Sequence, residues 1–481
     1  MTTLMWFRRD LRLTDHPALL AAHAEASAEG GGVLGVFVCD PRLLRRPQAR
    51  SARLLASVMD LHRRTGGALV IRVGTPQEVI PALAEEVGAT RVHVSAETTP
   101  YGRARDDRVR AALAARARHL TATGSPYAIG PGILHTRAGT PFAVFTPFHR
   151  AWLDHGAPAP AGPAPEVTWV DGLPSDPLPK GPGTDKTTYD DASAAPDDTT
   201  AAERDEPSLS GREAGENAAL RHWRNWLESG LAGYDTDRDR PDLDSTSRAS
   251  IPLKYGELHP RTLLADLAQV GAAHTPAGRR FVAELCWREF YADVLYHRPD
   301  SAWQDLRPIG GGPGDNSHLP GCDEELVAAW RAGRTGFPMV DAGMRQLLAE
   351  GFMHNRLRML TASFLVKDLH APWTLGARHF LDHLLDGDVS SNNQGWQWVA
   401  GTGTDAAPYF RVFNPVTQGV RFDPDGDYVR RWIPELRHLP GRAVHEPWKA
   451  PDGYHHGYPQ RIVDHAEERA RTLAWYQEAR A

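Results

Sequence analysis

Between Gly351 and Pro415 the chain reads GFMHNRLRMLTASFLVKDL and then LDGDVSSNNQGWQWVAGTGTDAAPYFRVFNP, with more polar and aromatic residues than plain core needs. On a helix, Asn355, Arg358 and Met359 fall at i, i+3 and i+4 and share one stripe. Asp386 and Asp388, followed by Asn392 and Asn393, supply acceptors and amides in a turn or capping segment. Two acids, two amides and two tryptophans, Trp396 and Trp398, suit a large polar, aromatic ligand. The alternative is an Arg358–Asp386 ion pair that only ties helices together.

Two further clusters lie upstream. Tyr234 precedes DRDRP and then Thr246, Ser247, Arg248, Ala249 and Ser250, where short hydroxyls surround an arginine. Such a string either cradles phosphate or caps a helix. Glu284 to Tyr291 packs charge and aromatics at helical spacing, which in isolation is an amphipathic helix with a solvated face. There is no GxxxxGK loop, HExxH helix, GxSxG elbow or GxGxxG between strand and helix, so a nucleotide is not held by the standard loops.

The elements that position these clusters fall into two halves. Leu4–Phe7, Val33–Val38, Leu69–Val73 and Arg91–Ser95 read as strands. They alternate with helices over Pro17–Ala28, Ala52–Arg64 and Pro76–Val87, the last introduced by Thr75. This grammar predicts a doubly wound parallel sheet over residues 1–130. Residues 131–216, rich in Pro, Gly, Ala, Asp and Thr, read as an acidic, partly disordered linker. From 217 to 481, helical periodicity and tryptophan dominate; Leu220, Trp223, Trp226 and Leu227 share one face. The fold class is therefore α/β followed by all-α.

The 481 residues carry a formal charge of −6, which as an average disfavours a nucleic-acid partner. Gly156–Glu216 alone carries −9, however, so the remainder is +3 and a local polyanion site is allowed. No apolar run approaches the ~20 residues of a membrane span, and the start lacks a secretory h-region, so the compartment reads as cytoplasmic. Cys39, Cys286 and Cys322 are far apart and read as buried thiols, with no metal or disulfide framework.

With WFRRDLRLTDHPAL at the start, the ordered strings GFPMVDAGMRQL, MHNRLRM, SFLVKDL, DGDVSSNNQGWQW and TGTDAAPYFRVFNP closely resemble the photolyase/cryptochrome flavoproteins, most of all the class I cyclobutane pyrimidine dimer enzymes. The resemblance spans nearly the whole chain apart from the acidic segment. It implies an N-terminal antenna domain and a C-terminal helical domain that holds FAD, active in its reduced anionic form. Tyr234, Thr246, Ser247, Arg248, Ala249 and Ser250 would meet its phosphates, and Arg288 the flavin nucleotide. Asp386, Gly387 and Asp388 would meet ribose and ring, with Arg358 paired to Asp386. Asn355 would line the cavity, and Asn392 would stand against flavin N5, where an amide suits reduced flavin better than the acid of many plant cryptochromes.

The same resemblance implies UV-damaged DNA as partner, a flipped-out cyclobutane dimer held by Glu284, Trp287, Asn355, Met359 and Trp398. Arg238, Arg356, Arg411 and Gln418 would meet the DNA backbone. Asn355 and Met359 stand where animal-type (6-4) enzymes carry a histidine pair, and three cysteines are too few for the iron–sulfur (6-4) branch. Electrons would reach oxidised flavin through Trp396 and Trp373. The third tryptophan of the family falls near Pro320, where the sequence has no aromatic, and the route is then redirected through Trp303 or Trp330. Pro100 to Asp106 resembles the class that uses 8-hydroxy-5-deazaflavin as antenna, with Gly102 at the place of a glutamate that grips reduced folate in other relatives. The implied protein is a monomeric bacterial enzyme of the cytoplasm, associated with the nucleoid when on DNA. The alternatives are a cryptochrome-type photoreceptor, against which the short C-terminus also counts, and a DNA-binding module without catalysis.

Overall fold

Five short strands form one parallel sheet in the computed structural model, which describes residues 2–44, 49–163, 166–178, 213–309, 323–405 and 411–479. They are β1 (Thr2–Phe7), β2 (Gly32–Cys39), β3 (Val70–Val73), β4 (Arg91–Val94) and β5 (His119–Ala122), in the order β3-β2-β1-β4-β5. β1 and β2 are buried almost throughout, as a sheet covered on both faces requires. Helices Pro17–Ala28, Ala49–Arg64 and Pro76–Glu86 follow the first three strands. Pro17 and Pro76 sit in the first turn, where a missing N–H costs nothing. Thr75 is the N-cap residue of its helix but makes no side-chain capping bond.

The fourth crossover, helix Pro100–Ala114, and the short edge strand β5 are additions to the sequence reading. So is helix Phe145–His155, inside the stretch read as a linker. It buries Phe148 and Trp152 against Cys286, Phe290 and Val294 of the helical half. Farther on, Trp169 bridges to Val33 at the sheet, and Asp176 N–H bonds Ile71 O at 2.9 Å. The segment is thus partly structured and packed on both halves. Residues 179–212, the most acidic part, lie outside the described residues.

From Glu216 onward all described elements are helical. Helix Glu216–Ser229 turns Ala219, Trp223 and Trp226 inward onto Phe281 and Leu285 of the long helix Pro276–His297. The largest core gathers helices Pro338–Glu350, Asn355–Ser363, Trp373–His383 and Val389–Ala400 around Trp330, Phe364, Phe380 and Trp396. The thiols of Cys39 and Cys286 are buried; Cys322 lies outside the described residues.

The two halves meet through carboxylates that satisfy backbone amides and arginines. Glu257 takes Arg53 in a fork at 2.6 and 2.8 Å and also accepts Gly215 N–H. Glu289 accepts Trp152 Nε1 at 2.9 Å and the N–H groups of Ala128 and Ile129. Asp15 receives Arg261 at 2.7 Å and the Thr262 hydroxyl at 3.0 Å. Gly256, at φ +70°, lets the chain reverse against the backbone of Arg9 and Asp10, where any Cβ would collide.

Removing one member of the Arg53–Glu257 pair, whose side chains are 5% and 0% exposed, strands a buried charge. Arg53→Met is expected to destabilise by about 3–5 kcal/mol, read as a lower urea midpoint. The double variant Arg53→Met with Glu257→Met should recover much of that loss.

Candidate cofactor and nucleic-acid site

The polar stripe and the DGD turn face each other across a cavity of about 750 Å³ inside the helical half. Helix Asn355–Ser363 presents Asn355, Arg358 and Met359 to it from one side. Helix Val389–Ala400 presents Asn392, Trp396 and Trp398 from another. Between them Asp386 accepts Arg358 at 2.8 Å and the Ser250 hydroxyl at 2.7 Å. The ion pair and the cavity are therefore one construction, because the arginine fixes a carboxylate in the cavity wall.

Asp386 Oδ1 is buried and has no hydrogen-bond partner among the described residues. A buried acceptor left in this state fits a hydroxyl or ring N–H of a bound group. Asn392 spends its amide N–H groups on Ala377 O, at 3.1 Å, and Asn393 Oδ1, at 2.8 Å, leaving its own carbonyl oxygen as an acceptor. Gly395, on the cavity wall, has open space where a Cβ would stand. Tyr234, Thr246, Ser247, Ala249 and Ser250 also line it, so the residues present fit a dinucleotide cofactor with its phosphates among hydroxyls. Arg248 lines it too, but its guanidinium is held by Asp244 at 2.8 Å and Glu350 at 3.4 Å. Arg288 reaches Pro126 O at 2.9 Å and lies 4.5 Å over the Tyr127 ring.

Asp388 caps helix Val389–Ala400, accepting Ser390 and Ser391 N–H at 3.1 and 3.2 Å. Its other oxygen meets Arg9 of the sheet domain at 2.8 Å, with Lys254 at 4.0 Å. Burial alone would raise its pKa, yet Arg9, Lys254, Arg288 and the Ser390 hydroxyl together hold it well below the usual range. Burial pushes the Lys254 ammonium down to about 7, with Arg9 adding and Asp388 opposing. Arg9 also lies 3.6 Å from Glu97. Arg9 Nε and Glu97 Oε1 are buried without a hydrogen bond. These two residues follow β1 and β4, the strands between which the sheet order reverses, where open α/β sheets bind ligands.

The cavity mouth carries the remaining residues. Glu284 pairs closely with Arg238 and lies 3.7 Å from Arg280. Trp287 stacks face to face on Phe145, ring centres 3.6 Å apart. Phe145 comes from the segment read as a linker, and sequence reading missed it. The signal was Phe145, Phe148 and Trp152 at i, i+3 and i+7. Arg411 lines the cavity, and Lys367 donates to its backbone oxygen. Arg356 stands beyond it, bonded to Asp239 at 2.7 Å, and Gln418 lies on the adjoining helix Pro415–Phe422.

Trp396 is a buried part of the cavity wall, with Gly376 packed so closely that a Cβ there would enter its ring. Trp373 opens the next helix and donates Nε1 to Asp305 at 2.7 Å. Trp330 is fully buried 6.2 Å from Trp396, whereas Trp303 is 39% exposed beneath the Arg378 guanidinium. Pro320 lies outside the described residues.

Comparison with known proteins decides what holds this cavity. The FAD binding domain of DNA photolyase matches residues 281–478, and the DNA photolyase domain matches residues 3–166. The deoxyribodipyrimidine photo-lyase of Streptomyces griseus is 41% identical over 97% of both chains. The chain belongs to the DNA photolyase family. The Escherichia coli photo-lyase is 38% identical over 100% of this chain and 99% of its own. Among solved structures, a class III photolyase from Agrobacterium tumefaciens superposes with a TM-score of 0.84 at 33% identity, covering 100% of this chain and 98% of that one. A Synechocystis cryptochrome superposes at 0.82 and 27% identity, with 98% of each chain covered. The photolyase fold is thus common to repair enzyme and photoreceptor, and the residues at the cavity mouth must discriminate.

Two measurements follow. Phe145→Ala removes the plane behind Trp287; a stacked pair is worth about 0.5–1.5 kcal/mol, so the urea midpoint should fall, by about that much stability, while flavin stays bound. For Lys254, an unfolded lysine keeps its proton to 10.5, so the unfolded state binds more protons from pH 7 upward and stability rises with pH over that window. Urea unfolding at pH 7 and pH 9 should show that rise in the native chain and not in Lys254→Met.

Proposed function

We propose that this protein is a light-driven repair enzyme for cyclobutane pyrimidine dimers in DNA, with FAD in the helical cavity. The observation that supports the reading is that Glu284, Trp287, Asn355, Met359 and Trp398 line the same cavity as Asp386, Asn392 and the Thr246–Ser250 hydroxyls. When bound, reduced flavin supplies the electron that light drives into the dimer and takes it back once the two ring bonds have opened, with no net redox change.

The chain's own residues bind, orient and exclude water. Asp386 offers its unspent oxygen to the cofactor, and Arg358 holds that carboxylate in place. Asn392 offers an amide oxygen, an acceptor suited to the N–H that reduced flavin carries at N5 and oxidised flavin lacks. Trp287 and Trp398 are aromatic walls for a nucleotide pair taken out of the stack, a step that costs least for a damaged, poorly stacked site. Glu284 exchanges its Arg238 partner for base-edge donors, which frees Arg238 for backbone phosphate; Arg356, Arg411 and Gln418 extend that contact. The electron route to oxidised flavin runs through Trp396 and Trp373 toward Trp303, favoured over Trp330 because Trp303 reaches solvent.

A second, light-harvesting chromophore belongs at the sheet's reversal point, where Arg9 and Glu97 have polar atoms to spare. An archaeal photolyase from Sulfolobus tokodaii, 26% identical with a TM-score of 0.79, covers 99% of this chain and all of its own; it was solved with two FAD molecules and an implied novel light-harvesting cofactor. Here 8-hydroxy-5-deazaflavin is favoured over reduced folate. A Cβ at Gly102 would collide with the Glu97 carboxylate and stand 2.8 Å from Thr99 Oγ1, which leaves no room for a folate-gripping glutamate. The enzyme acts as a monomer in the cytoplasm, where its DNA lies.

The deciding assay is loss of dimers from a UV-irradiated thymidine oligonucleotide under blue light, with chemically reduced protein and a dark control. Dimers should vanish only in light; persistence in protein that holds FAD would make it a photoreceptor. Glu284→Ala removes a charge-assisted contact of about 1.5–3 kcal/mol, so dimer affinity should drop roughly 10- to 100-fold with flavin retained.

A further inference from the structure

A second cleft, of about 630 Å³, opens between helix Pro415–Phe422, the turn around Trp448 and the start of helix His465–Glu478. Three arginines, Arg421, Arg442 and Arg461, line it. All three are exposed, and none of their guanidinium groups forms a hydrogen bond or close ion pair with another described residue. Two are laid on aromatic planes, Arg461 at 4.5 Å from the Trp448 ring centre and Arg421 at 5.0 Å from that of Phe422. A guanidinium stacked this way loses rotamer freedom in advance and keeps its N–H edge open to an oxyanion. The two carboxylates in the lining are already engaged. Glu446 holds Lys449 at 2.7 Å; Asp464 accepts Ala466 and Glu467 N–H at 2.8 and 3.3 Å and also attracts Arg461 at longer range.

The cleft continues the basic rim of the repair cavity. Asp239 lies 3.8 Å from Arg238 and 2.7 Å from Arg356, which links those two cations. Arg356 in turn stands 4.3 Å from the centre of the Phe422 ring that also carries Arg421. A track of guanidinium groups therefore leads from the cavity mouth to the cleft. We infer that the Arg421–Arg442–Arg461 cleft is a second DNA-backbone site, which takes phosphates of the duplex flanking the lesion. This rests on the repair reading above for the identity of the polyanion.

Phosphate contacts position a duplex without reading it. The Arg442→Gln, Arg461→Gln double variant should therefore weaken a duplex with one cyclobutane dimer and the same duplex without it by the same factor. The slope of log affinity against log salt should become shallower by about 1 to 2, near 0.9 for each phosphate the variant no longer neutralises. Retained flavin absorption shows that the variant is folded, and Arg442→Gln alone, at a residue with no partner among the described residues, should give half the change in slope. A slope equal to that of the native chain, or a weakening confined to the damaged duplex, overturns the proposal. If the native chain binds both duplexes alike, the repair reading fails, and the change in slope still decides whether the cleft holds backbone phosphate.

Discussion

Asp386 and Asp388 are two carboxylates in three residues, both sunk below the surface, where a buried carboxylate requires a cation or several donors beside it. Arg358 answers the first from helix Asn355–Ser363, and Arg9 answers the second from the end of β1. That requirement sets the rest. It fixes the angle at which two helices face each other across the cavity, starts helix Val389–Ala400 with its asparagines inward, and brings the sheet domain to the cavity's edge. The ion pairs do not explain stability, since buried pairs of this kind roughly cancel their desolvation cost. They explain why the cavity has one shape.

The same economy governs the domain interface. Glu257, Glu289 and Asp15 each accept several bonds from the opposite half, so the interface is held by directional contacts. Apolar surfaces can slide, whereas a carboxylate that accepts two backbone amides cannot move an ångström without leaving them unmet. Phe145 benefits directly. Helix Phe145–His155 is anchored by Trp152 on Glu289, which holds the phenyl ring flat on Trp287.

Much of this was legible in the sequence. Helix Pro17–Ala28 and the first four strands declare themselves through proline starts and apolar runs, and Asn355, Arg358, Met359, Asp386, Asp388 and Asn392 line one cavity. Helix Pro100–Ala114 was hidden because PYGRARDDRVRAALA has six charges in fifteen residues and turns only Val109 and Leu113 inward as large apolar side chains, and β5 because HLTA is too short and too polar to read as a strand. The proline-rich surroundings of FTPFHRAWLDH concealed a clear i, i+3, i+7 face. In the site, residue types foretold which side chains gather but not which of them pair. That Arg248 turns to Asp244 and Glu350, and that Arg9 reaches Asp388 across more than three hundred residues of chain, follows from tertiary packing that no local pattern encodes.

The Arg9–Asp388 contact also bears on how such chains recombine. A chimaera that exchanges the sheet domain for another family member's keeps Asp388, because that residue belongs to the helical half. If the incoming domain has no cation at the position of Arg9, the junction buries a lone carboxylate at the first turn of the helix that carries Asn392 and Trp396. Compatibility between antenna half and repair half is thus written in a single charge pair, and modules that differ there are interchangeable only as sets.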